Sequence, residues 1–333
     1  MTTNQYGISS MANSPDSPWQ GSSVFWGTSV EGAMTSEEAT EMGSLDWEVA
    51  MKELFVQRKD GQMIKVKDRL ACVRRDAVVL PNGDVDAFGV FSPQYSPLQN
   101  RDKFKFADGL VANGEAVFHS VGSLKGGAKT WMYLQLPSDL KVSDTDILER
   151  GILITDSYDG SSSLGISFMS TRKLCCNTLR GLVGRGGQFR GKHTRNLMGR
   201  INEAREVMGL EEAYSQMLMR GIELMAQEAM NKAQLDEFLT NLFGVEEDRE
   251  AVSARTRNQM DRVAHLFYQG KGNHGETQWD ALNAVTEFVD HHRGVSSGSS
   301  AERDKNLNSA WFGTGADLKT AAWNLLVPAG AVN

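Results

Sequence analysis

The sequence predicts an α+β fold, with a strand-rich N-terminal core that contains a helix, followed by a mostly α-helical C-terminal half. Short runs of β-branched and aromatic residues, separated by turn residues, occupy positions from about 45 to 180. After about residue 195, apolar residues recur every three to four positions, as on one face of a helix. With 333 residues, 40% of them hydrophobic, the chain can bury a sizeable core.

Composition divides the chain into three parts. Residues 1–44 are rich in Ser, Thr, Gly and acidic residues, which predicts a flexible N-terminal arm. Trp19, Phe25 and Trp26 leave room for this arm to dock onto the body or onto a neighbouring subunit. Residues 45–194 form the predicted α+β core, ending in a basic glycine-rich segment, and residues 195–327 form the predicted helical domain.

In the core, runs of strand-forming residues and turn signatures predict the elements in order. The expected strands are 71–73, 77–80, 87–91, 116–121, 130–136, 152–155 and 164–168. Turn signatures precede the third strand, at 81–84, and the fifth, at 125–127. Asn100, Arg101 and Asp102 predict the cap of a helix over 103–112.

In the C-terminal half, the helical period predicts one long helix or two abutting helices from about 197 to 225. A short helix should end at Gly244 and another at Gly270. Thr277 is the expected N-cap of a helix over 279–292, and 296–300 is an expected loop. The last helix, over 316–326, should stop at Pro328.

The charge distribution is the most informative feature for function. Residues 160–202 contain eight basic and no acidic residues, although the whole chain has a net charge of −7. Glycines at 181, 184, 186, 187, 191 and 199 would let the backbone approach a ligand closely. An acid-free basic stretch on an acidic protein is typical of polyanion binding, and nucleic acid is the expected polyanion. The candidate contacts are Arg172, Lys173, Arg180, Arg185, Arg190, Lys192, Arg195 and Arg200, with Phe189 as a ring that could stack on a base or equally pack in a core. The alternative is that the segment is a solvated surface loop without a ligand.

Other functional signals are weaker. Gly186 to Lys192 matches the first part of a phosphate-binding loop, but His193 stands where Ser or Thr should hold magnesium. Asp156 and Asp159 could bind a metal, yet Asp-Gly is also an ordinary turn pair. We therefore predict no catalytic residue, no cofactor and no metal site. Whether the chain is an enzyme stays open, and a non-catalytic role is favoured.

The sequence also predicts the cellular setting. Three cysteines, two of them adjacent, fit a reducing compartment better than a disulfide framework. No N-terminal signal and no stretch of 18 apolar residues is visible, so we expect a cytoplasmic protein without a membrane partner. The methionines between 198 and 230 indicate either an adaptable core or a subunit interface.

Several blocks, taken in order, resemble a family known from phages and plasmids, domain of unknown function 932. The blocks are Tyr95–Asn100, Gly122–Gly127, Thr155–Ser161, Cys175–Leu179, His193–Thr194, Trp279–Glu287 and Phe312–Gly315. The family commonly has His where this chain has Tyr158, which weakens any histidine chemistry at that turn. The resemblance implies DNA metabolism of a mobile element in a bacterial host cell. More distantly, the chain is similar to the single-strand annealing recombinases of the RecT, Red-beta and Erf types, which form rings or filaments.

Together these observations predict a phage or plasmid protein that binds single-stranded DNA and anneals it during recombination, without catalysis. Whether it also binds duplex DNA is left open. A homo-oligomer is expected, because self-association would join short basic grooves into one track. Two alternatives remain, a self-assembling structural or interaction protein of a phage, and a metal-dependent nucleic-acid enzyme acting through Asp156 and Asp159.

Overall fold

A computed structural model of the chain describes residues 27–76, 86–174, 177–180, 188–191, 211–245, 252–294 and 300–327. In these ranges the strands are β1 (Thr28–Ser29), β2 (Val49–Gln57), β3 (Met63–Arg74), β4 (Ala87–Phe91), β5 (Val117–Leu124), β6 (Lys129–Gln135), β7 (Leu140–Lys141), β8 (Ile147–Ser157), β9 (Leu164–Arg172), β10 (Asn177–Arg180) and β11 (Gln188–Gly191). The helices are α1 (Ser36–Met42), α2 (Asn100–Phe104), α3 (Ala107–Ala112), α4 (Glu211–Gln227), α5 (Lys232–Leu242), α6 (Ala254–Gln269), α7 (Gln278–Glu287), α8 (Ser300–Phe312) and α9 (Thr314–Leu326).

The larger of two sheets is antiparallel and forms the centre of the molecule. Its order is β1-β5-β6-β8-β9-β10, with β7 added to β8 and β11 added to β9. β6 shows that both faces are covered, because successive side chains of a strand point to opposite faces. Thr130 accepts a hydrogen bond from Lys103 of α2, whereas the next residue, Trp131, packs edge-on against Trp311 of α8 at a centroid distance of 5.1 Å.

The smaller sheet contains β2, β3 and β4 in that order. β2 and β3 form a long hairpin, of which only the end near residues 70–74 also pairs with β4. That end is held by a small aromatic cluster of Trp47, Phe88 and Tyr158, whose ring centroids lie within 6.0 Å of one another. Most residues in the rest of the hairpin are exposed.

The helical half packs against the larger sheet in one continuous core. Two of its helices begin with complete capping boxes. Asn231 exchanges hydrogen bonds with Gln234 at the start of α5, and Thr277 does so with Asp280 at the start of α7. α7 continues as a π-helical turn, Phe288–His292, whose Asp290 and His291 are buried against β10.

The predicted α+β class is confirmed, including the strand-rich first half and the helical second half. The expected single helix over 103–112 was wrong in detail, because the chain forms α2 and α3 with a break at Lys105–Phe106. Phe104, Phe106 and Ala107 are all buried. On a single straight helix, Phe104 and Phe106 would point to nearly opposite sides, so both could not face the core. Helix α8 was not predicted, since its sequence is polar. The predicted strand 77–80 and the residues 197–210 of the predicted long helix lie outside the described residues.

The predicted N-terminal arm needs a correction within its described part. β1 pairs with β5, and the backbone N–H of Val30 donates to the carbonyl of His119 at 2.9 Å. Ser36, at the start of α1, donates its backbone N–H to Asp108 of α3 at 2.6 Å. Residues 27–44 therefore belong to the packed body, because these backbone donors are bonded there and Val30, Ala33 and Ala39 are buried.

Candidate nucleic-acid interface

Two pieces of the basic segment, β10 and β11, lie on the edge of the larger sheet like one interrupted strand. β10 runs antiparallel to β9 from Arg172 back to Met169, and β11 continues along the same strand from Ser167 to Leu164. Seven residues, 181–187, connect the two pieces. The chain thus leaves and rejoins the edge across about two residues of β9, roughly 7 Å. Both ends of the connection carrying Arg185 are therefore fixed by strand pairing.

The start of this edge is fastened to the helical half by a buried ion pair. The ammonium of Lys319 donates to Asp290 at 2.9 Å, and also to the hydroxyl and carbonyl oxygens of Thr178 on β10. Asp290 in turn accepts the backbone N–H of Thr178 at 2.7 Å. Next to it, Asn177 lies 3.1 Å from the ring of His291. Sequence reasoning missed this anchor, because Thr178 lies more than 100 residues from both Asp290 and Lys319 along the chain.

Arg172 does not fit the predicted phosphate contact and is corrected here. It is 1% exposed, and its guanidinium makes two hydrogen bonds of 2.7 Å to Asp146. It also donates to the carbonyls of Lys271 and Gly272 and to Asn273. A guanidinium enclosed by a carboxylate and three further acceptors has no free donor face for a phosphate. Arg172 instead joins β9 to the loop between α6 and α7.

The remaining predicted contacts fall into three groups. Lys173 is exposed and pairs with Asp139 at 2.9 Å, a surface ion pair that a phosphate could replace at little cost. Arg190 on β11 is exposed, whereas its neighbour Phe189 is 5% exposed and packs in the core, so the predicted base-stacking role of Phe189 is also corrected. The side chains that lie outside the described residues are those of Arg180, Arg185, Lys192, Arg195 and Arg200.

The two aspartates of the possible metal site are held apart by different partners. Asp156 is buried and pairs with the fully buried ammonium of Lys103 at 2.8 Å. Asp159 accepts the backbone N–H of Ser161 at 2.9 Å and pairs with Lys125 at 3.2 Å. Burial alone would raise the pKa of Asp159, but these hydrogen bonds outweigh it and the pKa is lowered. Within the described ranges, no group of three His, Cys, Asp or Glu could hold a metal ion.

The Lys103–Asp156 pair belongs to a buried polar network that the sequence did not reveal. Lys103 also donates to Thr130 at 2.9 Å and lies 4.2 Å above the ring of Tyr158. The Tyr158 hydroxyl lies 3.0 Å from the side-chain oxygen of Asn100, which also accepts from Thr130. Burial lowers the pKa of the Lys103 ammonium, although its attraction to Asp156 opposes this. The network is closed to solvent, so it fastens α2 to the sheet and offers no open site.

The family described as Domain of unknown function (DUF932) matches residues 87–311, about two thirds of the chain. The chain therefore belongs to this family. No curated protein and no solved structure matches it. Among the described helices, none is long and apolar enough to cross a membrane.

Proposed function

We propose that this chain binds single-stranded nucleic acid, specifically single-stranded DNA, through the basic edge. The name refers to the described edge strands β10 and β11, and it covers the seven cations within these strands or near them in the sequence: Lys173, Arg180, Arg185, Arg190, Lys192, Arg195 and Arg200. The bound strand would be presented for annealing, in recombination of a phage or plasmid within the bacterial cytoplasm. The mobile-element setting rests on the resemblance of the sequence blocks.

One observation carries the proposal. The acid-free basic segment is attached to the sheet edge at β10 and β11, with Arg190 exposed on β11 and Lys173 exposed shortly before β10. Removing the buried Arg172 from the predicted set leaves seven candidate phosphate contacts in 160–202. Binding through phosphates alone leaves base edges available for pairing with a second strand. Such a mechanism is stoichiometric and uses neither a metal nor a nucleotide.

The test is fluorescence anisotropy with labelled single-stranded and duplex oligonucleotides at about 50 and 200 mM salt. We expect tight single-strand binding that weakens steeply with salt, because each phosphate contact releases counterions. In the triple variant Arg185→Ala, Arg190→Ala and Arg195→Ala, the fall of log K with log salt should be less steep. The magnitude of its slope should decrease by about 2, at about 0.7 per contact.

The matched control removes the same charge elsewhere. Arg220, Lys232 and Arg257 are exposed on α4, α5 and α6, so their triple alanine variant has the same net charge as the test variant. The control should bind like the parent protein, and a strand-annealing assay should follow the same ranking. Absence of binding at low salt, or an equal loss in both triple variants, would contradict the proposal.

A second candidate function, a self-assembling structural or interaction protein, is favoured by the exposed β2–β3 hairpin. It predicts assembly in the absence of nucleic acid and no effect of the basic-edge variant. The two functions are therefore separated by the same pair of triple variants.

A further inference from the structure

The hairpin formed by β2 and β3 exposes apolar side chains along most of its length. Phe55, Val56, Met63 and Ile64 are 49%, 59%, 56% and 46% exposed. Val56 lies directly opposite Ile64 in the strand register, so the two form an aliphatic pair on one face of the ribbon. Among the described strands, β3 pairs with β4 only at residues 70–73, so the outer hairpin has no other strand beside it. A two-stranded ribbon without a further strand is marginally stable in water, so covering the outer part of this one by a partner would stabilise it.

The hairpin is also basic. Residues 52–69 carry six basic and three acidic side chains, a net charge of +3, which leaves −10 for the rest of the chain. Two of the acids are engaged within the hairpin itself, because Glu53 pairs with Lys65 and Asp60 lies 3.8 Å from Arg58. Lys59 and Lys67 are exposed. A partner for this surface should therefore combine negative charge with accessible apolar groups.

The same chain exposes a surface of that kind around α1. Residues 31–46 carry five acidic and no basic residues. Two methionines within this stretch are strongly exposed, Met34 at 70% and Met42 at 49%. The exposed acidic residues of this surface, which we call the α1 patch, are Glu31, Glu37, Glu38, Glu41 and Asp46. Methionine is unbranched and adaptable, and therefore suits a surface that receives another side chain.

We propose that the β2–β3 hairpin of one protomer docks onto the α1 patch of a second copy of this chain. The aliphatic pair would pack against Met34 and Met42, and the hairpin cations would face the acidic side chains of the patch. Both surfaces are exposed in the same protomer, so the hairpin does not cover its own patch. A reciprocal dimer and a longer head-to-tail assembly both satisfy this pairing, because hairpin and patch are different surfaces.

Charge complementarity is the argument for a second copy over other occupants. A nucleic acid would match the hairpin cations, but it would leave the exposed methionines and glutamates of the α1 patch without a role. The N-terminal residues 1–26 contain a single acidic residue, so they lack the charge to match the hairpin. The α1 patch offers both properties and is present at the same concentration as the hairpin. The inference does not depend on nucleic-acid binding.

The test is a charge exchange followed by sedimentation velocity on the full chain without nucleic acid. Arg58→Glu with Lys59→Glu reverses the hairpin, and Glu37→Lys with Glu41→Lys reverses the patch. We expect the parent protein to associate with rising concentration over roughly a hundredfold range, as mass action requires. Each double variant alone should raise the apparent dissociation constant at least about tenfold, because attractive pairs become repulsive.

Mixing the two double variants should restore association, since each reversed hairpin then meets a reversed patch. The control Lys232→Glu with Arg257→Glu changes the net charge by the same amount as the hairpin variant, at exposed positions of the helical half. It should associate like the parent. Val56→Ser with Ile64→Ser, which leaves the charge unchanged, should also weaken association, and circular dichroism checks that each variant is folded. A monomeric parent at all concentrations, or hairpin variants that associate normally, would overturn the proposal. Loss in both double variants without recovery on mixing would overturn the α1 patch as the acceptor.

Discussion

Arg172 was predicted to contact nucleic acid, but its buried contacts indicate a structural role. Replacing it with Leu distinguishes the two roles, because a structural role affects stability and a contact with nucleic acid affects binding. In Arg172→Leu, the buried carboxylate of Asp146 would keep only the indole N–H of Trp279, at 2.9 Å. The carbonyls of Lys271 and Gly272 would lose their donor as well. Breaking a buried ion pair on one side costs about 3–5 kcal/mol, because a charge remains without its partner. We expect the free energy of unfolding to fall by that amount.

Two further variants test the origin of this cost. Arg172→Lys keeps the charge but cannot donate two parallel hydrogen bonds to Asp146, so it should lower the free energy of unfolding by about half as much as Arg172→Leu. Adding Asp146→Asn to Arg172→Leu should recover at least about 1 kcal/mol, since the isolated buried charge is then removed. Guanidinium unfolding followed by tryptophan fluorescence gives all three values, and the salt dependence of oligonucleotide binding should stay unchanged. The reasoning is refuted if Arg172→Leu costs less than about 0.5 kcal/mol and lowers the salt slope by about 0.7.

Three further predictions concern residues in or next to the strands of the two described sheets. Tyr158→Phe removes a hydroxyl that lies 2.8 Å from the carbonyl of Leu98, and should lower the free energy of unfolding by about 1–2 kcal/mol in guanidinium titrations. Gly151→Ala would place a Cβ 2.1 Å from the buried ring of Tyr133, so it should cost about 1–3 kcal/mol, and markedly less when Tyr133→Leu makes room. Burial raises the pKa of Cys72 from 9.0 to about 12, with Lys103 opposing this and Asp156 adding to it. Because the unfolded thiol ionises first, the stability that Cys72 contributes below pH 9 should decline toward pH 12. Cys72→Ala should then show a smaller loss of stability between pH 8.5 and 10.5 than the parent, and an equal loss would contradict the assignment.

Local patterns predicted the parts of the fold that depend on local chemistry. The strands around 117–124, 129–135 and 164–172 follow from runs of strand-forming residues between turns. Thr277 was predicted as an N-cap, and it accepts the expected hydrogen bond from the backbone of Asp280. Helix α8 escaped prediction because its sequence has few apolar residues before Ala310, and tertiary contacts such as Trp131 with Trp311 hold it in place.

The candidate site was predictable only as a composition. The sequence identified an acid-free basic segment, but it could not distinguish a solvated arginine from one that is paired in the core. Arg172 and Arg190 look alike in the sequence, yet one is enclosed by Asp146 and the other is exposed. The difference depends on a carboxylate 26 residues away and on a loop about 100 residues away. No local pattern carries that information.

The interrupted edge strand has a consequence for how this protein can vary. β10 and β11 pair with β9 in defined registers on either side of residues 181–187, so the strand pairing specifies where this stretch starts and finishes. Closure entropy rises slowly with length, by about 0.6 kcal/mol for each doubling of a loop, so we expect a longer connection to cost the fold little stability. We therefore expect variants that change the length or charge between 181 and 187 to keep the fold even where they lose binding. Affinity for a ligand and stability of the fold can evolve as two separate quantities.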